Sequence, residues 1–176
     1  IGTYVKSETE THVDVGDKSN DALRINGKEI RARVLGEGAN LAITQLGRIE
    51  YAKNGGRINT DFVDNSGGVD SSDHEVNIKI LLTDVVRKPK HKMDLKVRNK
   101  LLEKMTNDVA AHVLRNNYQQ AQAISMAEFH AAEKLQDHAE FIEDLEKDVG
   151  LNRKIEYLPD REEIDKRFKQ GKGLTR

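Results

Sequence analysis

The sequence predicts an α/β fold in which a short strand-helix-strand segment precedes a helix-rich region. Three observations predict it. Ten of the 13 glycines fall before residue 69, apolar spacing lengthens from alternation to steps of three and four after Ser72, and the two prolines stand late, at Pro89 and Pro159. With 176 residues the chain suits one domain, or one and a half, and is long enough for a real core.

The elements follow in order. Ile25 to Ile30 carries Asn26-Gly27 between apolar positions, the strongest short signal for a tight hairpin. A strand is expected next, through Val34 and Leu35. Thr44 to Asn54 places Leu46, Ile49 and Ala52 at helical spacing and stops at Gly55-Gly56, a left-handed C-cap. Arg57 to Asp64 alternates Ile58, Thr60 and Phe62 with polar neighbours, which predicts a second strand, and Asn65-Ser66-Gly67-Gly68 a glycine turn. Strand, helix and strand fall within about 30 residues, the length of one βαβ crossover.

From Ser72 the pattern is helical, with Val76, Ile80 and Val85 near one face and Ile78, Leu81 and Leu82 widening it into a stripe that must be buried. Pro89, in a basic run from Arg87 to Lys92, reads as a polar linker. Leu101, Met105, Val109 and Val113 then recur at steps of four, and Phe129, Leu135, Ile142, Leu145 and Val149 predict a second long helix. Beyond Pro159 a short basic tail remains. No internal repeat has a solenoid period.

Composition narrows the function classes. Charged residues make up 34% and aromatics 5%, toward the solvated, helical end of globular composition. A net charge of -1 exerts no global pull on nucleic acid or membrane, and the basic run lacks the interleaved aromatics of a nucleic-acid surface. Zero cysteines exclude disulfides, thiolate metal sites and a cysteine nucleophile. The six histidines form no ligand pair at helical spacing, so no metal is expected; neither GxSxG nor a Ser-His-Asp set appears. With no apolar run of membrane-spanning length and no basic-then-apolar leader, the expectation is a cytoplasmic protein that spans no membrane. A start at Ile1 without methionine suggests a fragment of a longer chain.

Two glycine-containing stretches are the candidate sites. Gly36-Glu37-Gly38-Ala39-Asn40-Leu41 matches the first half of a dinucleotide fingerprint, but Leu41 stands where a third glycine belongs. Glu37 would also set a carboxylate beside a pyrophosphate, so a strand-to-helix turn is the better reading. In Asn65 to Glu75, Ser72 and Glu75 have the spacing of a capping box, which predicts a helix start at Ser72. The same glycine turn, feeding a helix N-terminus, lets backbone amides, the Asn65 amide and the Ser72 hydroxyl converge on a carboxylate or carboxamide.

The two turns, GEGAN and then DNSGGVDSSDHE about 25 residues later, resemble those of the glutamate dehydrogenases, whose nucleotide domains carry an EGAN turn and a later NAGG turn followed by Ser and Glu. With IGTYVK at the start, GEGANLAITQLGRIEYAKNGGRINTDFVDNSGGVDSSDHEVNIKILL in the middle and GKGLTR at the end, the chain is similar, more narrowly, to the large-subunit NAD-specific glutamate dehydrogenases of bacteria. The likeness runs the full chain and is most specific over residues 34 to 82. Leu41-Ala42-Ile43 departs from the Gly-Pro-Thr of the smaller enzymes, and Asp73-His74 from their aromatic pair.

The resemblance implies a partial Rossmann-like βαβ segment: residues 1–86 as the C-terminal portion of a dinucleotide-binding domain, and residues 87–176 as a helical region. It implies oxidative deamination of L-glutamate to 2-oxoglutarate and ammonia, with NAD as cofactor. Asn40 and Asn65 would then face the nicotinamide and the reacting carbon, and Ser72 the substrate's side-chain carboxylate; these are binding and orienting roles. The family's catalytic lysine and aspartate and its phosphate loop have no counterpart among these residues. The expected partners are therefore the remainder of a parent chain and further copies of it in a homo-oligomer, and no activity is expected from this piece alone. Two other readings stay open at this level: a noncatalytic helical interaction module over residues 90 to 150, and a dehydrogenase of another amino acid.

Overall fold

The computed structural model of the chain describes residues 2–88, 90 and 93–176. Ile1, Pro89 and Lys92 of the readings above lie outside the described residues, as does His91. The fold is helix-rich with one small parallel sheet, and it forms two compact units, one from residues up to Asp61 together with Gln122–Arg176, the other Phe62–Ala121.

In the first unit β1 (Val5–Lys6) pairs in parallel with β2 (Ile25–Asn26), Val5 opposite Ile25. Between them run α1 (His12–Val15), closed by a left-handed Gly16, and a 3-10 helix at Lys18–Leu23. The expected hairpin at Asn26-Gly27 does not form: a 3-10 turn, Gly27–Glu29, follows β2 and carries the chain onward. Gly27 is needed for proximity rather than for a positive φ, because a Cβ there would lie 2.4 Å from the Gly47 carbonyl oxygen.

The predicted helix is present as α2 (Gln45–Lys53), with Thr44 as N-cap accepting from the Gly47 N–H and Gly55 left-handed at φ 87° just past its end. Its buried face is Gly47, Arg48 and Tyr51, one position round from the expected Leu46, Ile49 and Ala52, which are half-buried. Gly47 turns inward because its α-carbon lies against the Lys6 backbone, where a Cβ would come within 2.8 Å. The strands on either side of α2 shrink to one parallel bridge, Val34 to Arg57. The two bridged residues flank the helix as a βαβ connection requires, but beyond Thr60 the expected strand is replaced by α3 (Asp61–Asp64). Val5, Ile43, Tyr51 and Ile58 form the core beneath, and Tyr51 Oη donates to the Ala32 carbonyl at 2.8 Å.

The rest of this unit comes from the end of the chain. Phe129 belongs to the end of α5 (Leu95–Phe129), and the second long helix starts later, as α6 (Leu135–Val149). The basic tail forms α7 (Arg161–Lys169), capped by Asp160. Leu135, Ala139 and Ile164 make a second core, against which Leu174 packs.

The second unit contains α4 (Ser66–Arg87) and the first part of α5. Ser66 and Asp70 near the start of α4 bond to Asn117 and Asn116, while Ile78 and Leu82 near its end line one cavity with Leu102, so the two helices run antiparallel. No helix among the described residues is long and apolar enough to cross a membrane.

Candidate functional site

The first glycine stretch leaves the Val34 bridge, where Leu35 N–H donates to the Arg57 carbonyl at 3.0 Å, and returns at Ile43, which bridges Val5. Gly36 and Gly38 have no positive φ, and a Cβ on either would meet nothing within 4 Å. The tight step of the turn is at Leu41 instead, at φ 68°, a conformation that costs a non-glycine residue about 1–2 kcal/mol. Its carbonyl accepts from Thr3 Oγ1 at 2.7 Å and its N–H donates to Asp61 Oδ2 at 3.1 Å.

Glu37, the carboxylate that would oppose a pyrophosphate, is turned inward. It is 4% exposed; its carboxylate accepts from the Ile43 N–H at 3.0 Å and from the buried Arg48 guanidinium at 2.5 Å. At the apex Asn40 is exposed between Ala39 and Leu41, with the Asp61 carboxylate on the Leu41 N–H next to it. Beside it a shallow cleft of about 240 Å³ opens over Gly36, Gly38, Ala39 and Ala42, with Tyr4 and Leu35 as apolar walls. The cleft's lining is apolar apart from Glu37, whose carboxylate is turned to Arg48, and the open side of the two glycines leaves room for a flat group to approach. Of the turn's backbone N–H groups, those of Leu41 and Ile43 are already committed to the Asp61 and Glu37 carboxylates.

The second stretch is built differently from its prediction. Asn65 interrupts the helical run between α3 and α4 at φ -93°, ψ 6°, the sparsely populated bridge region where turn and active-site residues gather. Its side chain makes no capping bond to α4, and its carbonyl accepts from the Gly68 N–H at 3.1 Å. The helix thus starts at Ser66, six residues before the predicted Ser72. The capping box is absent in consequence: Ser72 Oγ donates to the Val69 carbonyl at 2.8 Å within α4, and Glu75 pairs with Lys79 at 2.8 Å. Asn65 and Ser72 still fall on one side of the helix, because seven residues are nearly two turns, roughly 10 Å along the axis.

Asn116 and Asn117 of α5 went unread in the sequence. Buried Ser66 donates to Asn117 Oδ1 at 3.1 Å, and Asn116 Nδ2 donates to Asp70 Oδ2 at 2.8 Å. A Cβ on Gly67 would stand 3.1 Å from Asn117 Nδ2, so the glycine admits this amide against the turn. The available signal was two adjacent asparagines inside a long helix, where their propensity is poor and a packing role is the usual compensation. Of the three predicted site residues, Asn65 and Ser72 belong to this unit and Asn40 to the other. Among the described residues no group of three or more acidic or histidine side chains is arranged to hold a metal ion.

Comparison with known proteins adds the chemistry that geometry leaves open. A family model described as the bacterial NAD-glutamate dehydrogenase catalytic domain matches residues 1–127. A protein of Pseudomonas aeruginosa is 56% identical over 176 residues, all of this chain, and one of Halomonas elongata is 50% identical over 175 residues, 99% of it. One of Mycobacterium tuberculosis is 49% identical over 175 residues. All three carry the name NAD-specific glutamate dehydrogenase, and the chain spans 11% of the length of each.

Proposed function

The chain belongs to the family of the bacterial NAD-glutamate dehydrogenase catalytic domain, and from that membership we propose that it is part of an NAD-dependent enzyme that oxidatively deaminates L-glutamate to 2-oxoglutarate and ammonia. The observation that carries the proposal is the 56% identity to an NAD-specific glutamate dehydrogenase over every residue of this chain. In this reading NAD, when bound, accepts the hydride leaving the glutamate α-carbon.

The chain's own residues bind and orient. Asn40 offers its amide to the nicotinamide end of the cofactor. Asn65, in the break before α4, faces the reacting end of the substrate, and Ser72, nearly two turns on, faces its side-chain carboxylate. None of the three titrates in the working pH range, so proton transfer belongs to groups elsewhere in the parent protein. We assign residues 1–86 to the C-terminal portion of a Rossmann-like domain. What supports this is the parallel Val34 to Arg57 bridge with α2 between its two sides. The remaining strands of that sheet, the phosphate loop and the partner subunits of a homo-oligomer are placed in the parent assembly.

Steady-state assays of the full-length protein with a panel of amino acids and both nicotinamide cofactors test the proposal. Glutamate with NAD should be the best pair by a wide margin. Asn65→Ala should lower kcat/KM for glutamate by about 100-fold, as expected when a reacting group loses its orientation. Equal rates with another amino acid, or near-normal kinetics in Asn65→Ala, would refute the assignment.

A further inference from the structure

Leu41 is held left-handed although the residue is 70% exposed and belongs to no core cluster. Two hydrogen bonds do so from opposite sides. Thr3 Oγ1 donates to its carbonyl at 2.7 Å, and Thr3 is itself fixed by its N–H to Asp17 Oδ2 at 2.7 Å. Asp61 Oδ2 accepts from the Leu41 N–H at 3.1 Å. That N–H is part of the Asn40-Leu41 peptide, and a peptide is planar, so the carboxylate that holds it also holds the Asn40 α-carbon, which lies in the same plane.

The segment carrying Asp61 is anchored in turn. Ile58 is 3% exposed in the first core, and Asn59 Oδ1 accepts from Arg176 Nε at 2.7 Å. Arg176 also donates to Ser125 Oγ at 2.9 Å and Glu128 Oε2 at 3.0 Å, both on α5. Strained backbone of this kind persists only where its surroundings over-determine it, and it gathers where a group must be held ready for a ligand.

We propose that Asp61 is a positioning residue for Asn40, holding the left-handed Leu41 peptide so that the Asn40 amide is already oriented when the nicotinamide end of the cofactor arrives. The proposal rests on the reading of Asn40 given above. Losing the Asp61 carboxylate lets Leu41 relax to a negative φ, and the ordering that was built into the protein then falls on cofactor binding.

The test is the KM for NAD in glutamate oxidation by the full-length protein, with the thermal midpoint as a check on folding. Asn40→Ala and Asp61→Ala should each raise KM for NAD roughly tenfold, with a smaller effect on kcat. Leu41→Gly in the Asp61→Ala background should recover most of that loss, because glycine adopts a positive φ without the steric cost. Thr3→Val releases the other side of the same residue and should show the same rise and the same rescue, which keeps the test open should Asp61→Ala not fold. A normal KM in Asp61→Ala beside a raised one in Asn40→Ala overturns the proposal and spares the reading of Asn40. So does a raised KM that Leu41→Gly fails to recover, the behaviour of a merely structural carboxylate. A normal KM in Asn40→Ala removes that reading and the proposal with it.

Discussion

At the scale of single residues, the buried pair of Glu37 and Arg48 shows how a side chain's role is assigned by its partner. Their side chains are 2% and 8% exposed, so each charge is supported chiefly by the other. Arg48→Met should cost about 3–5 kcal/mol, because it takes the counter-charge away from a buried carboxylate. Adding Glu37→Gln should recover a large part, and urea denaturation of the two variants measures both effects. The motif GEGAN was legible, and so was the departure of Leu41 from the dinucleotide pattern, but not the inward turn of Glu37. Its partner lies eleven positions along the chain, on a helix face whose orientation no local pattern specifies. Asn65 was legible as a site candidate because the NSGG turn surrounds it, whereas Asn117 was not, since the Ser66 it meets lies 51 residues away.

At the scale of elements, one side chain of α2 ties it both to the residues just after β1 and to the Gly27–Glu29 turn. The Glu50 carboxylate accepts from Ser7 Oγ, the Glu8 N–H and the Lys28 N–H, each at 2.8 Å. Burial by itself would raise the Glu50 carboxyl, but those donors and the Lys28 charge outweigh it and hold the group below the ordinary carboxylate range. A depressed folded-state value means stability that is fully present above the unfolded value of about 4.3 and lost as pH falls through the lower folded one. Glu50→Gln should therefore cost about 1–2 kcal/mol at pH 7. The gap to the natural chain should narrow below about pH 4, which denaturation midpoints across pH would show. The existence of α2 was readable because its cap, its length and its glycine stop are written in adjacent residues. Its buried face was not, because Gly47 is drawn in by the Lys6 backbone and Arg48 by Glu37. The Asn26-Gly27 hairpin failed for a related reason: parallel pairing of Ile25 with Val5 and the close approach of Gly27 to Gly47 override a local turn preference.

At the scale of the whole molecule, the matched family model ends at residue 127, yet Gln122–Arg176 folds together with the first 61 residues. The closing GKGLTR segment is the reason. Gly173 lies so close to Ala131 that a Cβ would come within 2.2 Å of its backbone carbon, Leu174 enters the core of Leu135, Ala139 and Ile164, and Arg176 reaches Asn59. Gly173→Val should lift this segment and cost about 1–3 kcal/mol, the usual range for forced overpacking. Faster amide hydrogen exchange at Leu135, Ala139 and Ile164 would confirm it, and unchanged exchange there would show that the segment is dispensable.

By itself the sequence determined the family likeness, the identity of the two glycine-containing turns, the helical character after Ser72 and the cap and stop of α2. These are carried by residues close together in the chain, where spacing and turn chemistry act directly. Only the tertiary structure decided that the strands among the described residues reduce to two short pieces and isolated parallel bridges, that α4 begins at Ser66, that Glu37 points inward, and that Leu41 rather than Gly36 or Gly38 takes the left-handed step of its turn. Each of those outcomes depends on a partner brought close by folding, and burial and hydrogen bonding across long stretches of chain outweigh local preferences of about 1 kcal/mol.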